Sequence, residues 1–231
     1  MSLFLTFEGG DGSGKRTQTR LTRDWLLNEG YDVELESFPR YGKPVAKLIE
    51  NFLNGKYGQL HAEVASVLYS LDRHMAATAI REVLARPNGI MLADRFTNSN
   101  LGHNGSKLNT TEERLEFFEQ QRTFEHDVLQ VPRPDHTFIL MVPPEIAQLN
   151  VDKKAARSYT DKKRDIHEAD ATHLARTFDT YTLLAETYPD EFTLIDSMET
   201  DRTQMRSIES VQEELRKAIS PLLRTMRPYS D

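Results

Sequence analysis

The strongest chemical signal in the chain lies near its amino terminus, in the run Gly9-Gly10-Asp11-Gly12-Ser13-Gly14-Lys15-Arg16-Thr17. It satisfies the GxxxxGK portion of a phosphate-binding loop. Glycines let successive backbone N–H groups converge on phosphate oxygens, the helix that follows offers its positive end, and Lys15 can reach the β- and γ-phosphates. The pattern departs at the next position. A Ser or Thr hydroxyl there ordinarily ligates Mg²⁺, whereas this chain has Arg16, with Thr17 one place later. Further cations stand where anions could be held. Arg40 sits in FPRY, Arg95 follows Asp94 at the end of an apolar run, and Lys153, Lys154, Arg157, Lys162, Lys163 and Arg164 crowd one stretch. Arginine grips a phosphate with a bidentate fork that lysine lacks. The seven histidines show no metal-ligand spacing, so no zinc site is expected.

The elements that must position these residues follow from pattern. LFLTFE (Leu3 to Glu8) is a buried strand, and Gly14 to Glu29 a helix stopped by Gly30. Asp32 to Phe38 is a second strand, broken by PRYGKP before a helix over about Val45 to Leu53. From His61 to Leu84, apolar residues recur at spacings of three to five, which predicts one long helix. GIMLAD (Gly89 to Asp94) has the continuous apolar character of an interior parallel strand. A polar segment from Thr97 to Asn109 precedes a helix opened by Thr110 or Thr111, with Glu113 as capping-box partner of Thr110. HTFILMV is the fourth strand, and a proline-led helix follows it. A helix from about Glu168 to Thr187, a strand from Glu191 to Asp196 and a helix from about Thr203 to Leu223 complete the chain. Strands alternating with helices imply βαβ units and a parallel sheet covered on both faces, with ligands at the carboxyl ends of the strands.

Composition bounds the rest. With 231 residues, 38% of them hydrophobic, the chain can bury the core of a single α/β domain. No apolar run approaches a membrane span, and the N-terminus has no signal-peptide pattern, so a protein that is neither exported nor membrane-bound is expected. The absence of cysteine excludes disulfides and thiolate metal sites and agrees with a reducing compartment, the cytoplasm by default. A net charge of −7 argues against broad binding to nucleic acid or anionic membranes.

FEGGDGSGKRTQ, from Phe7 to Gln18, closely resembles the thymidylate kinases, whose loop is typically FEG-x-DG-x-GKTTQ. FPRYGKPVAKLIENFLNG, LYSLDRH, ADRFTNSN, RPDHTFILMVPPEIA and RDIHEAD continue the resemblance in family order over about residues 3 to 196. It implies one three-layer P-loop NTPase-type kinase domain over residues 1–231: a five-stranded parallel sheet with helices on both faces, a basic lid at about 150–168 and a polar tail at about 225–231. It also implies transfer of the γ-phosphoryl of ATP to dTMP, with Mg²⁺, in a cytoplasmic homodimer. Gly9, Gly10, Gly12, Ser13, Gly14, Lys15, Arg16 and Thr17 would hold the ATP phosphates. Asp11 would meet the sugar of dTMP or the metal, Asp94 and Glu168 the metal, and Arg40 and Arg95 the acceptor phosphate. Tyr69 would stack on the base while Arg73 and Asn100 read its edge, with Phe38, Tyr41 and Ser99 completing the acceptor site. His103 and Asn104 stand where many members have Tyr and Gln, which opens the choice between deoxyribose and ribose. The loop has Gly12 where one group has Arg, so the catalytic cation would come from the lid, through Arg157 or Arg164. Two alternatives stay open: a related kinase acting on dUMP, UMP, CMP or a deoxynucleoside, and a nucleotide-binding protein that does not transfer phosphate.

Overall fold

The structure, a computed structural model, describes residues 2–152, 171–224 and 226. Strands β1 (Leu3–Glu8), β2 (Asp32–Ser37), β3 (Gly89–Asp94), β4 (His136–Met141) and β5 (Phe192–Asp196) form one sheet in the order β2-β3-β1-β4-β5. Every pairing is parallel. β1, β3 and β4 are buried almost throughout, in keeping with their largely apolar runs. β2 is an edge strand and alternates instead, with Val33 buried between exposed Asp32 and Glu34. The register sets Phe7 beside Asp94 and Ser37 beside Asp94, so the ends of β1, β2 and β3 are level and the turns after them share one edge.

Helices α1 (Lys15–Asn28) and α9 (Ile208–Arg224) cover one face. There Leu26, Val211, Leu215 and Ile219 pack on Leu5, Phe7, Leu92 and Phe138. The opposite face carries α2 (Ala46–Leu53), α3 (Ala62–His74), α4 (Ala77–Leu84), the short α5 (Thr97–Ser99), α6 (Thr111–Arg122), α7 (Pro144–Asp152) and α8 (Ala171–Thr187). Phe118, Ile139, Tyr181 and Leu184 form its largest apolar cluster. The expected capping box opens α6: Glu113 N–H donates to Thr110 Oγ1 at 3.1 Å, and Thr110 N–H donates to Glu113 Oε2 at 3.0 Å.

Three elements differ from expectation. The single helix over His61–Leu84 is broken at Met75–Ala76. Arg40 Nη2 donates to the Asp72 carbonyl at 2.8 Å, and Ala76 N–H turns to Arg73 O at 3.0 Å, so the side chain has replaced a link in the helical ladder. Periodicity does not register such a break. The polar segment after β3 is helical, with α5 running into a π-turn over Asn100–Asn104, and a second π-turn, Thr123–Val128, extends α6. The last helix starts at Ile208, because residues 198–205 double back through a bridge between Met198 and Met205.

Candidate active site

The loop after β1 is built on close approach. A Cβ on Gly12, which has φ +87°, would lie 2.1 Å from the carbonyl oxygen of Ala147 in α7, so only glycine fits there. Asn150 of α7 donates to Gly12 O at 3.2 Å and holds the loop from the same side. Lys15 lies at the start of α1, buried, with Nζ donating to Gly10 O at 2.7 Å across the turn. Ser13 is buried, and its Oγ meets no protein hydrogen-bond partner among the described residues. Arg16 and Thr17 are exposed on the first turn of α1. Arg16 shares a polar cleft of about 720 Å³ with Asp94, Arg20 and Glu36, on the β2 side of the loop.

The turn after β3 holds Arg95 in a strained conformation. Its φ is +67°, a region an L-residue enters at a cost of about 1–2 kcal/mol. The turn persists because both sides are pinned. Arg95 N–H donates to Phe7 O at 3.0 Å, and Phe96 N–H donates to Glu8 Oε1 at 2.8 Å. The Phe96 ring is buried edge-on against Phe4 and Phe38, with centroids 4.9 and 5.2 Å away. Glu8 also accepts from Ser99 Oγ at 2.5 Å and Tyr181 OH at 3.0 Å. Full burial pushes its carboxyl above the usual range, against the opposing pull of Arg95 and these hydrogen bonds.

So placed, the Arg95 guanidinium spans two regions. Nη2 donates to Asp11 Oδ1 at 2.7 Å, while Nη1 lies 3.3 Å from Gly9 O and 2.7 Å from His103 Nε2. A guanidinium only donates, so Nε2 is the acceptor nitrogen of His103. Burial opposes the Arg95 charge, but Asp11 above all, with Glu8 and Asp94, outweighs it and holds the group firmly protonated.

Beside Arg95 opens a cleft of about 690 Å³ between the strand ends and α3. Every residue that the resemblance assigned to the acceptor lines it except Arg40. Arg40 stands behind Asp72, which does line the cleft. Arg40 Nε reaches Asp72 Oδ1 at 3.0 Å, and its backbone N–H reaches Oδ2 at 2.8 Å. Tyr69 is half-buried on Ile49, Phe52 and Leu53. Arg73 is buried and paired bidentately with Glu125 at 2.6 and 2.8 Å. Asn100 Nδ2 donates to the same carboxylate at 2.9 Å.

Three carboxylates in this scaffold were missed in the sequence: Glu8, Asp72 and Glu125. The first two stand inside the quoted motifs, next to Gly9 and Arg73 respectively, so a signal existed. Glu125 has none, because its partner lies 52 residues away. The lid residues Lys153, Lys154, Arg157, Lys162, Lys163, Arg164 and Asp165, and the expected metal ligand Glu168, lie outside the described residues. Among the described residues no three His, Cys, Asp or Glu side chains cluster as a metal site, and Asp11 and Asp94 are the two expected carboxylates present.

A phosphate-binding loop joined through one arginine to a cleft of nucleotide size is the geometry of a phosphotransferase between two nucleotides. Comparison with known proteins agrees. The thymidylate kinase family model matches residues 7–208. The chain belongs to the thymidylate kinase family. It is 29% identical over 225 residues to a thymidylate kinase of Exiguobacterium sibiricum, covering 96% of this chain and 95% of that one. To a thymidylate kinase of Mycobacterium tuberculosis it is 31% identical over 186 residues, covering 79% and 86%. The solved thymidylate kinase of Candida albicans, described as having broad substrate specificity, superposes with a TM-score of 0.67 at 21% identity. That match covers 100% of this chain and 96% of the other, and supports the fold.

Proposed function

We propose that the chain transfers the γ-phosphoryl group of ATP to dTMP, giving ADP and dTDP. The observation that carries this reading is Arg95, which touches the phosphate loop through Gly9 O and Asp11 and lines the acceptor cleft. Phosphoryl transfer of this kind asks for positioning and charge neutralisation and needs no covalent nucleophile. The loop N–H groups, Ser13 Oγ and Lys15 bind the β- and γ-phosphates of ATP. Lys15 gives up its bond to Gly10 O for a phosphate oxygen. Arg95 binds the acceptor phosphate, and Arg40, held by Asp72, supports it. Tyr69 stacks on the base, and Arg73 and Asn100 read its edge. Asp11 meets the sugar or the metal.

Asp11 and Asp94 fit the one or two carboxylates that Mg²⁺ takes when phosphates and waters supply its other ligands. When bound, the ion neutralises phosphate charge. Glu168 would add a third carboxylate, and Arg157 and Arg164 of the lid would supply the catalytic cation that Gly12 leaves out of the loop. A homodimer accords with the family and with the exposure of Val64 and Val67 on α3, at 52% and 37%, and of Met75 just past its end, at 63%. A cytoplasmic location accords with the family. Among the described residues no helix is long and apolar enough to cross a membrane.

The test is a coupled ADP-release assay with ATP and Mg²⁺, run against dTMP, dUMP, UMP, dCMP, CMP, thymidine and no acceptor. dTMP should give the highest kcat/KM. A result placing dTMP among the poorest acceptors, or ATP binding without turnover on any acceptor, would refute the proposal. One observation favours a second reading. His103 directs its imidazole to Arg95, in a position where many family members carry a larger tyrosine, so UMP is the rival acceptor.

A further inference from the structure

Beneath the base end of the cleft the polar side chains form a chain with a fixed direction. Lys107 Nζ donates to Asn104 Oδ1 at 2.8 Å, and Asn104 Nδ2 donates to Asn100 Oδ1 at 3.1 Å. Asn100 Nδ2 in turn donates to Glu125 Oε1 at 2.9 Å and to the Ser66 carbonyl at 3.1 Å. An ammonium group can only donate, and a carboxylate or carbonyl oxygen can only accept. A flipped Asn104 would turn its NH₂ on the Lys107 cation. A flipped Asn100 would turn its oxygen on the Glu125 carboxylate and Ser66 O. Neither amide is free to reverse. Glu125 also takes two donors of Arg73, leaving the rest of that guanidinium fork at the cleft. Arg73, Asn100 and Glu125 are all buried, so the arrangement is held away from competing water.

We infer that Glu125, with Lys107 at the other end of the chain, is a positioning residue that fixes Asn100 to present an acceptor beside the donors of Arg73. It thereby selects the imide edge of a uracil-type base over cytosine. Asn100 Oδ1 accepts from Asn104 and keeps a second lone pair. A thymine or uracil edge, N–H flanked by carbonyl oxygens, matches that pairing of acceptor and guanidinium. Cytosine offers an unprotonated ring nitrogen and an amino group, and sets acceptor against acceptor and donor against donor. This inference rests on the reading of the cleft as a pyrimidine nucleotide site.

The experiment measures kcat/KM for dTMP and dCMP at saturating ATP and Mg²⁺, for the wild-type chain and for Glu125→Gln. The wild type should favour dTMP. Glutamine can present either an oxygen or an NH₂ to Asn100, so in Glu125→Gln the dTMP:dCMP ratio should fall by about tenfold or more, with KM for ATP unchanged. If Glu125→Gln does not fold, Glu125→Asp keeps the buried charge while withdrawing the oxygens and carries the same comparison. Lys107→Met, which frees the Asn104 amide to flip, should move the ratio in the same direction. Equal losses on both nucleotides, leaving the ratio at its wild-type value, would reduce Glu125 to a structural part and overturn the inference alone. A wild-type chain inactive on every pyrimidine nucleotide would overturn the functional reading and this inference together.

Discussion

Lys107 holds Asn104 in place at a cost that is largest at neutral pH. Its side chain is partly buried, with the ammonium over the Phe52 ring at 5.4 Å, and desolvation lowers its pKa from the ordinary 10.5 to about 8. That lowering corresponds to about 3 kcal/mol. Below pH 8 the native and unfolded chains are both protonated at Lys107, and the native state bears the whole penalty. Between pH 8 and 10.5 the native chain has released this proton while the unfolded chain retains it. The unfolded state then binds more protons, so this group's contribution to stability rises with pH across that window and levels off above it. Lys107→Met keeps the length and apolar stem of the side chain, removes the charge and loses the bond to Asn104, worth about 1 kcal/mol. The variant should therefore be more stable than the wild type at pH 7 by about 2 kcal/mol, a rise in Tm of about 4–8 °C for a domain of this size. Thermal melts of both proteins followed by circular dichroism from pH 7 to about pH 10 make the comparison. The advantage of the variant should shrink steadily above pH 8. A difference in Tm that stays constant over that range, or a less stable variant at pH 7, would refute the argument.

Other expectations concern the two substrate sites. Lys15→Ala should abolish turnover and leave the circular dichroism spectrum intact, and normal turnover in the folded variant would remove Lys15 from the phosphate site. Gly12→Ala forces a Cβ against Ala147 O and into a left-handed backbone, so Tm should fall and KM for ATP rise at least tenfold; an unchanged KM would show that loop and α7 move apart freely. Asp72→Asn leaves the Arg40 guanidinium without its carboxylate. Urea unfolding should show a loss of about 1–3 kcal/mol, and KM for dTMP should rise more than KM for ATP.

The sheet was legible because β1, β3 and β4 are largely apolar runs, each followed by residues unsuited to a strand interior. Residues positioned by those strands, such as Gly9 to Lys15, Asp94 and Arg95, were found with them. The capping box of α6 was equally local, with Thr110 and Glu113 answering one another. What lay hidden was tertiary. Nothing near Met75 announces a break in the helix, because its cause is Arg40, reaching over from a turn 32 residues earlier. Likewise Asn100 and Arg73 read as polar residues with something to recognise, while the carboxylate that constrains both stands on a π-turn at the end of α6, in no motif. Glu8 read as the end of a buried strand. Its part in pinning the Arg95 turn requires knowing that Phe96, Ser99 and Tyr181 converge on it.

The arginines of the cleft differ in how tightly their partners hold them, and the difference sorts their work. Arg73 and Glu125 are 2% and 1% exposed, so separating them would leave a charge uncompensated in the interior, at about 3–5 kcal/mol. Such a cost keeps the pair closed, which suits the proposed part of Arg73 in reading a base. Arg95 and Asp11 are 17% and 27% exposed, and water or phosphate can take over from either partner. On the proposed reading Arg95 can then exchange the Asp11 carboxylate for an incoming phosphate oxygen without passing through an unpaired buried state, and the same exchange would release Asp11 for the sugar or the metal. Arg40 is intermediate. The Arg40 and Asp72 side chains are 13% and 1% exposed, and Arg40 stands behind Asp72 rather than in the cleft, which fits a supporting part. The proposed acceptor cleft is therefore lined by one exchangeable cation, Arg95, and one held cation, Arg73, with Arg40 held behind Asp72. The exchangeable cation is the one bonded to the phosphate loop, where charge moves during transfer.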